Sequence, residues 1–236
     1  APRPQPRHPR AHVTAAVRVF LVGGVISYRA LFNWISPLMY VTTMLGSPLF
    51  QILFFVYLGR YAGAQDDLFF VVGNAVQVAA MSGIYGMTMG VANERQFGTL
   101  LPLLGTPASR LAIFSGRALP FVLNGLLVSA FGFAAAWLLL GFRPAPGSAP
   151  GLALAVLVTT CSCVALGMLI GSLGLRARDV FFGANLVYFL LLLVAGVNIP
   201  NRDLPGWLAA IGRGVPLRRG SEAARRRARG SPLPDA

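Results

Sequence analysis

The sequence predicts an all-α polytopic membrane protein, built from an N-terminal interfacial helix and five transmembrane helices. Three observations predict it. Of 236 residues, 56% are hydrophobic and only 11% charged, with a mean hydropathy of +0.67, whereas a soluble domain carries about 25% charged residues. Five apolar runs, over residues 37–59, 68–93, 118–142, 152–175 and 180–200, hold no charged side chain. Each has about the 20 residues that a helix needs to cross a hydrocarbon core. Finally, the twenty basic residues, all arginine, crowd the ends of these runs and the two termini.

The elements follow in order. Residues 1–11 are rich in Arg, Pro and Ala and read as a disordered basic tail, with His8 and the adjoining His12 as solvated residues. Over 13–35, apolar residues recur with helical spacing at Val13, Val17, Phe20, Leu21, Tyr28, Phe32 and Ile35. Arg18 and Arg29 interrupt that stripe, so this helix is expected to lie in the membrane interface, with Tyr28, Arg29 and Trp34 at headgroup level. The first span, 37–59, contains Pro48, which removes a helical hydrogen bond. A polar turn over 60–67 leads to the second span, 68–93. There Gly86 and Gly90, with Gly83 nearby, have the spacing of close helix contacts. Asn74 and Gln77 are expected to bond a neighbouring helix.

The third span, 118–142, has Pro120 near its start, and a Pro/Gly loop over 143–151 follows it. The fourth, 152–175, repeats the glycine spacing at Gly167 and Gly171. A charged turn over 176–179 precedes the fifth, 180–200. Residues 201–214 read as interfacial, with Trp207, Leu208 and Ile211. Residues 218–236 read as an arginine-rich tail too polar to enter a bilayer. The membrane domain is thus expected over 12–217.

Residues 94–117 stand out between the second and third spans. Glu94 and Arg95 end one apolar run, and Arg110 and Arg117 open the next. Between them lies a short amphipathic piece with Phe97, Leu100, Leu101, Leu103 and Leu104, opened by Gly98 and bounded by Pro102 and Pro107. It is too short and broken to span, and suits a surface that meets a partner. From spacing alone, an interfacial connector fits equally well.

This stretch resembles the cytoplasmic coupling loop of ATP-binding-cassette exporter permeases of the type-2 fold, the drug-exporter-like branch. The similarity rests on Glu94-Arg95-x-x-Gly98-Thr99-Leu100, then Leu103-Leu104, Thr106-Pro107 and a basic residue. Outside the loop it extends to Tyr28–Trp34, to Gly73-Asn74-Ala75, to Gly196-Val197-Asn198-Ile199-Pro200, to Leu204-Pro205-Gly206-Trp207-Leu208, and to Pro216-Leu217 with Glu222-Ala223-Ala224-Arg225. Together these cover roughly residues 15–230. The resemblance implies a multidrug-type permease that moves a drug-like or lipid-like amphipathic molecule out of the cell by alternating access. It implies a separate ATPase subunit docked on the loop and a second permease copy. The coupling residues would be Glu94, Arg95, Gly98, Thr99, Leu100, Leu103, Leu104, Thr106 and Pro107. It also implies a sixth span; up to Ala236 no further apolar run appears, so on five spans the 218–236 tail is expected outside.

Composition narrows the function classes. A net charge of +13 would suit nucleic acid, but arginines at the ends of apolar runs are better explained by membrane orientation, so lipids and no nucleic acid are expected as partners. Arg3, Arg7, Arg10, Arg18, Arg29, Arg95, Arg110, Arg117, Arg176 and Arg178 fall on one side. Arg60, Arg143 and Arg202, offset by Asp66, Asp67 and Asp203, fall on the other. This puts the N-terminus and the 94–117 loop in the cytoplasm of a multi-pass protein of the inner or plasma membrane. No cleavable signal peptide is expected.

The chain has no lysine and hence no Gly-x-x-x-x-Gly-Lys phosphate loop, so ATP is expected on the partner and no cofactor here. No span interior holds Asp, Glu or His, which disfavours intramembrane catalysis and proton-coupled transport. Cys161 and Cys163 lie two apart on a helix, point different ways and read as packing residues rather than a disulfide or metal site. The alternative to a permease is a non-transporting membrane scaffold that docks a cytoplasmic partner.

Overall fold

A computed structural model describes the backbone of residues 9–34, 36–63, 67–106, 109–174, 180–199 and 205–230, and the side chains of these except 9–16, 30–34, 37, 180, 181, 209, 211 and 213. The described residues form helices and turns. They are α1 (Pro9–Trp34), α2 (Pro37–Met39), a π-helical stretch (Tyr40–Gly46), α3 (Ser47–Ala62), α4 (Asp67–Gln96), α5 (Leu100–Leu104), α6 (Arg110–Leu140), α7 (Ala149–Gly174), α8 (Val180–Val194), α9 (Gly206–Arg213) and α10 (Pro216–Ala228).

Four stretches are long and apolar enough to cross a membrane: Tyr40–Ala62, Asp67–Gln96, Arg110–Leu140 and Ala149–Gly174. A shorter apolar helix covers Phe182–Val194. The fold is that of an all-α polytopic membrane protein. The fifth run stops early: α8 has 15 residues, about 22 Å of helix against a core of about 30 Å. Its chain turns after Val194, where Gly196 takes a φ of +65°.

Helix α4 is the axis. Every residue from Phe69 to Ala80 is buried, because α3, α6, α7, α8 and α10 all pack on it. In lipid the apolar surface of one helix gains little by meeting another, so such contacts depend on close fit and hydrogen bonds. The α4–α7 seam has both. A Cβ on Gly167 would stand 2.7 Å from the Ile84 carbonyl oxygen, and one on Gly171 2.9 Å from Val91 Cβ. The Thr88 hydroxyl donates to the Gly167 carbonyl at 3.0 Å. Gly86 and Gly90 play a different part: both lie under the ring of Phe121 from α6, so they receive a knob instead of a second backbone.

Helix α1 packs on the first turns of α6, where its Phe20 backbone lies against Gly116. It is not among the four long apolar stretches, and Tyr28 and Arg29 are exposed. Its first turn starts at Pro9, inside the stretch read as a tail; residues 1–8 and Ile35 lie outside the described residues. The π-helical stretch ends one residue before Ser47-Pro48 is reached, at Gly46, and Pro48 has no N–H to donate to the turn before it. Cys163 is buried, whereas Cys161 is exposed on the other side of α7, so packing inside this chain accounts for Cys163 and not for Cys161.

The largest departure from the sequence reading is α10. Residues 216–228 form a helix along α7 and α4, where the composition suggested a solvated tail. Leu217, Ser221, Ala224, Arg225 and Ala228 form its buried face. Gly220 lies against Thr159, well inside the fourth apolar run, and the Ala145 N–H donates to the Ala228 carbonyl at 2.9 Å. Residues 231–236 lie outside the described residues.

Candidate functional site

The stretch singled out in the sequence forms one end of the molecule. Helix α4 closes at Gln96. The N–H groups of Phe97, Gly98 and Thr99 donate to the carbonyls of Asn93, Arg95 and Glu94 at 2.9, 3.1 and 3.0 Å. Gly98 has a φ of +68° with open space where a Cβ would stand, so backbone conformation and not crowding selects glycine there.

Glu94 joins three elements. Its carboxylate pairs with Arg117 of α6 and accepts a hydrogen bond from the Thr99 hydroxyl. The two charged side chains are only 16% and 27% exposed. The end of α4, the turn and the start of α6 are therefore held by one carboxylate. In the sequence Arg117 stands only as a marker of the next span, and its pairing with Glu94 comes from the fold.

Helix α5 projects from this tie. Its Gly105 N–H donates to Leu101 at 3.0 Å and its Thr106 hydroxyl to Leu103 at 2.8 Å. Leu100 and Leu103 are half-buried. The outward apolar side chains are Leu101, at 80% exposure, with Phe97, Leu111 and, less so, Leu104. Helical spacing explains the division: 100, 103 and 104 share a stripe, and 101 lies off it. Leu101, which the sequence places only among the apolar members of this piece, and Leu111 were thus missing from the expected coupling residues, though both are highly exposed. Arg95 and Thr99 are exposed. Pro107 lies outside the described residues.

A second set of polar groups lines the faces of α4. Asn74 donates to Asn198 at 2.8 Å and to the Phe70 carbonyl at 2.9 Å, and accepts from Gln51 at 3.1 Å. Gln77 donates to the Tyr188 hydroxyl at 2.7 Å, and the Tyr85 hydroxyl donates to Asn185 at 2.7 Å. Tyr40 donates to Asn124 at 2.6 Å, which donates to Ser82 at 2.8 Å. Asn74 and Gln77 thus bond neighbouring elements. At the opposite end, Arg225 is buried and donates to the carbonyls of Phe69, Gly196 and Val197 at 3.2, 3.0 and 2.7 Å. Its guanidinium carbon stands 3.7 Å from the Phe69 ring centroid. Near it, an apolar cleft of about 520 Å³ opens between α3, α4 and α8, lined by Phe55, Leu58, Phe70, Phe189 and Leu192 and edged by Asn198.

The sequence that builds these long apolar helices matches a known family. The family model described as "ABC-2 type transporter" matches residues 22–226. The chain belongs to the ABC-2 type transporter family. Two curated relatives are each described as "Probable multidrug ABC transporter permease YbhR", one from Escherichia coli strain K12 and one from Escherichia coli O157:H7. Both are 29% identical over 148 residues, covering 61% of this chain and 39% of theirs. No solved structure matches. Membership of a membrane transporter family, with the apolar helices, makes this a multi-pass membrane protein.

Proposed function

We propose that this ABC-2 chain is the permease of an ATP-driven exporter, with its N-terminus and α5 in the cytoplasm. A separate ATPase subunit docks on the α5 loop and supplies ATP binding and hydrolysis, so the chain itself is no enzyme and holds no cofactor. The observation that carries this reading is the Glu94 tie. Force applied to α5 passes through the Thr99 turn to α4 and through Arg117 to α6, as a coupling element requires. The exposed Leu101, Phe97 and Leu111 form the docking surface, seated by Gly98, Leu100, Leu103, Leu104 and Thr106, with Arg95 and Pro107 flanking it in the sequence.

Two copies associate side by side. The large apolar side chains exposed on α2, α3 and α8, among them Leu38, Phe50, Phe54, Tyr61 and Phe189, support a lipid or partner contact there. An apolar or amphipathic, drug-like or lipid-like substrate suits the cleft with its single amide edge, since none of the side chains lining it is charged. Alternating access follows from tilting α4 and α6 about the fixed α10 end.

The test is coupling. In vesicles holding the chain and its ATPase, Gly98→Val, Leu101→Asp and Leu103→Asp should keep membrane insertion and lower substrate-stimulated ATP hydrolysis at least tenfold. Wild-type export by Leu101→Asp with the ATPase still bound would reduce the loop to a connector and leave the scaffold reading standing.

A further inference from the structure

Helix α1 is held at one roll angle. A Cβ on Gly116 of α6 would stand 2.6 Å from the Phe20 carbonyl oxygen, and one on Gly24 would stand 3.0 Å from Leu119 and 3.3 Å from the Gly116 carbonyl oxygen. These contacts press the Phe20 and Gly24 side of α1 onto the first turns of α6. The opposite side is therefore presented in a fixed orientation.

That side carries Arg18, Leu21, Val22, Val25 and Arg29, all exposed. Eleven residues of α-helix turn through about 1100°, so Arg18 and Arg29 stand about 20° apart around the axis and about 16 Å apart along it. Between them Leu21, Val22 and Val25 are 53%, 49% and 55% exposed. Helix α1 contains no acidic residue. The face is an apolar strip with a cation at each end.

The two chemistries are satisfied together at one depth of a bilayer. A guanidinium is costly to leave in hydrocarbon, and an apolar strip is costly to leave in water. With α1 lying along the membrane surface, Leu21, Val22 and Val25 meet the upper acyl chains. The aliphatic arginine stems then carry both guanidinium groups to the phosphate layer, where they bind through paired, charge-assisted hydrogen bonds. Net charge selects the headgroup. The phosphate of phosphatidylcholine is balanced by its own choline cation, whereas that of phosphatidylglycerol is not, so an anionic lipid gains more beside each arginine.

We propose that this face of α1 seats anionic phospholipids, one headgroup at Arg18 and another at Arg29, with their acyl chains against Leu21, Val22 and Val25. Such seating needs neither an ATPase nor the orientation proposed above.

The test uses the full chain in vesicles of equal dioleoylphosphatidylglycerol and dioleoylphosphatidylcholine, with bromine on the acyl chains of one lipid at a time. A bimane label is placed at Leu21→Cys, near Arg18, or at Val25→Cys, near Arg29, in a Cys161→Ser background; Cys163 is buried. Quenching should favour phosphatidylglycerol over phosphatidylcholine about fivefold at each label, equivalent to about 1 kcal/mol per arginine at a tenfold change per 1.4 kcal/mol. Arg18→Gln should remove the preference at the first label and Arg29→Gln at the second. A label at Leu127→Cys, exposed midway along α6, should show none. Helical circular dichroism should match the wild type throughout. Equal quenching by both lipids at the two α1 labels, or a preference that survives Arg18→Gln combined with Arg29→Gln, would overturn the proposal. So would α1 labels that neither lipid quenches, because a protein surface would then cover this face.

Discussion

The two ends of α4 solve a similar problem in opposite ways. At each, an arginine from another helix meets oxygen atoms of α4. At the α5 end, Arg117 meets a carboxylate that water can still reach, and one hydroxyl completes the site. At the α10 end, Arg225 is 9% exposed and meets carbonyls of α4 and of the turn after α8. Its path is opened by Gly73, where any Cβ would collide with the guanidinium. A partly wet ion pair can exchange partners at small cost. A dry cation among carbonyls cannot leave without stranding both itself and them. One end is tied by a partly wet ion pair and the other by a dry cation among carbonyls.

The most direct way to break this contrast is Arg225→Met. It removes the charged donor from buried carbonyls, and the expected loss is about 4 kcal/mol, with hydrogen bonds to charged groups contributing about 1.5–3 kcal/mol each. Thermal unfolding in detergent should show it, and Arg225→Lys should recover only part. An unchanged melting temperature would erase the distinction between the ends.

Between them lies the α4–α7 seam. Gly167→Val should lower stability by about 1–3 kcal/mol through overpacking, because the Ile84 carbonyl stands where the new side chain must go. Chemical denaturation of the folded chain checks this.

Glu94→Gln should cost about 1 kcal/mol or less, well below Arg225→Met. A double-mutant cycle with Arg117→Gln isolates the pair; a coupling larger than the Arg225 loss would make the α5 end the stronger tie. The smallest effect belongs to Asp67→Asn. Its partner Arg60 is 44% exposed, so water screens the pair and the smallest change of the four is expected, measurable by a double-mutant cycle with Arg60→Gln.

The spans were legible because a charge-free apolar run of bilayer length rarely serves any purpose but crossing one. The α5 end was half legible: Glu94, Gly98 and Thr99 carried signals, whereas Arg117, twenty-three positions on from Glu94, could be paired with it only through the fold. Helix α10 was the main miss. Its buried positions 217, 221, 224, 225 and 228 follow helical spacing, but the stripe is made of small residues and one arginine. Average polarity outweighed period there. A cation satisfied by carbonyls from residues 28 to 156 positions away leaves no local mark in a sequence. Leu101 and Leu104 look alike in composition, and only the direction of a one-turn helix separates the more exposed from the less.

The π-helical stretch at Tyr40–Gly46 sets the phase of the first span. Tyr40 meets Asn124, and Ile52 lies over Gly132, so both point at α6. In an unbroken α-helix, twelve residues turn through about 1200°, which would leave these two side chains about 120° apart. Wider i→i+5 turns hold more residues per revolution and absorb the surplus, bringing Tyr40 round to the face that Ile52 occupies. The aim of the span's first turns is therefore fixed by how many residues stand between the two contacts as much as by which residues they are. Removing one from this stretch would rotate everything before it by about 100°, while the half that follows Pro48 kept its seat.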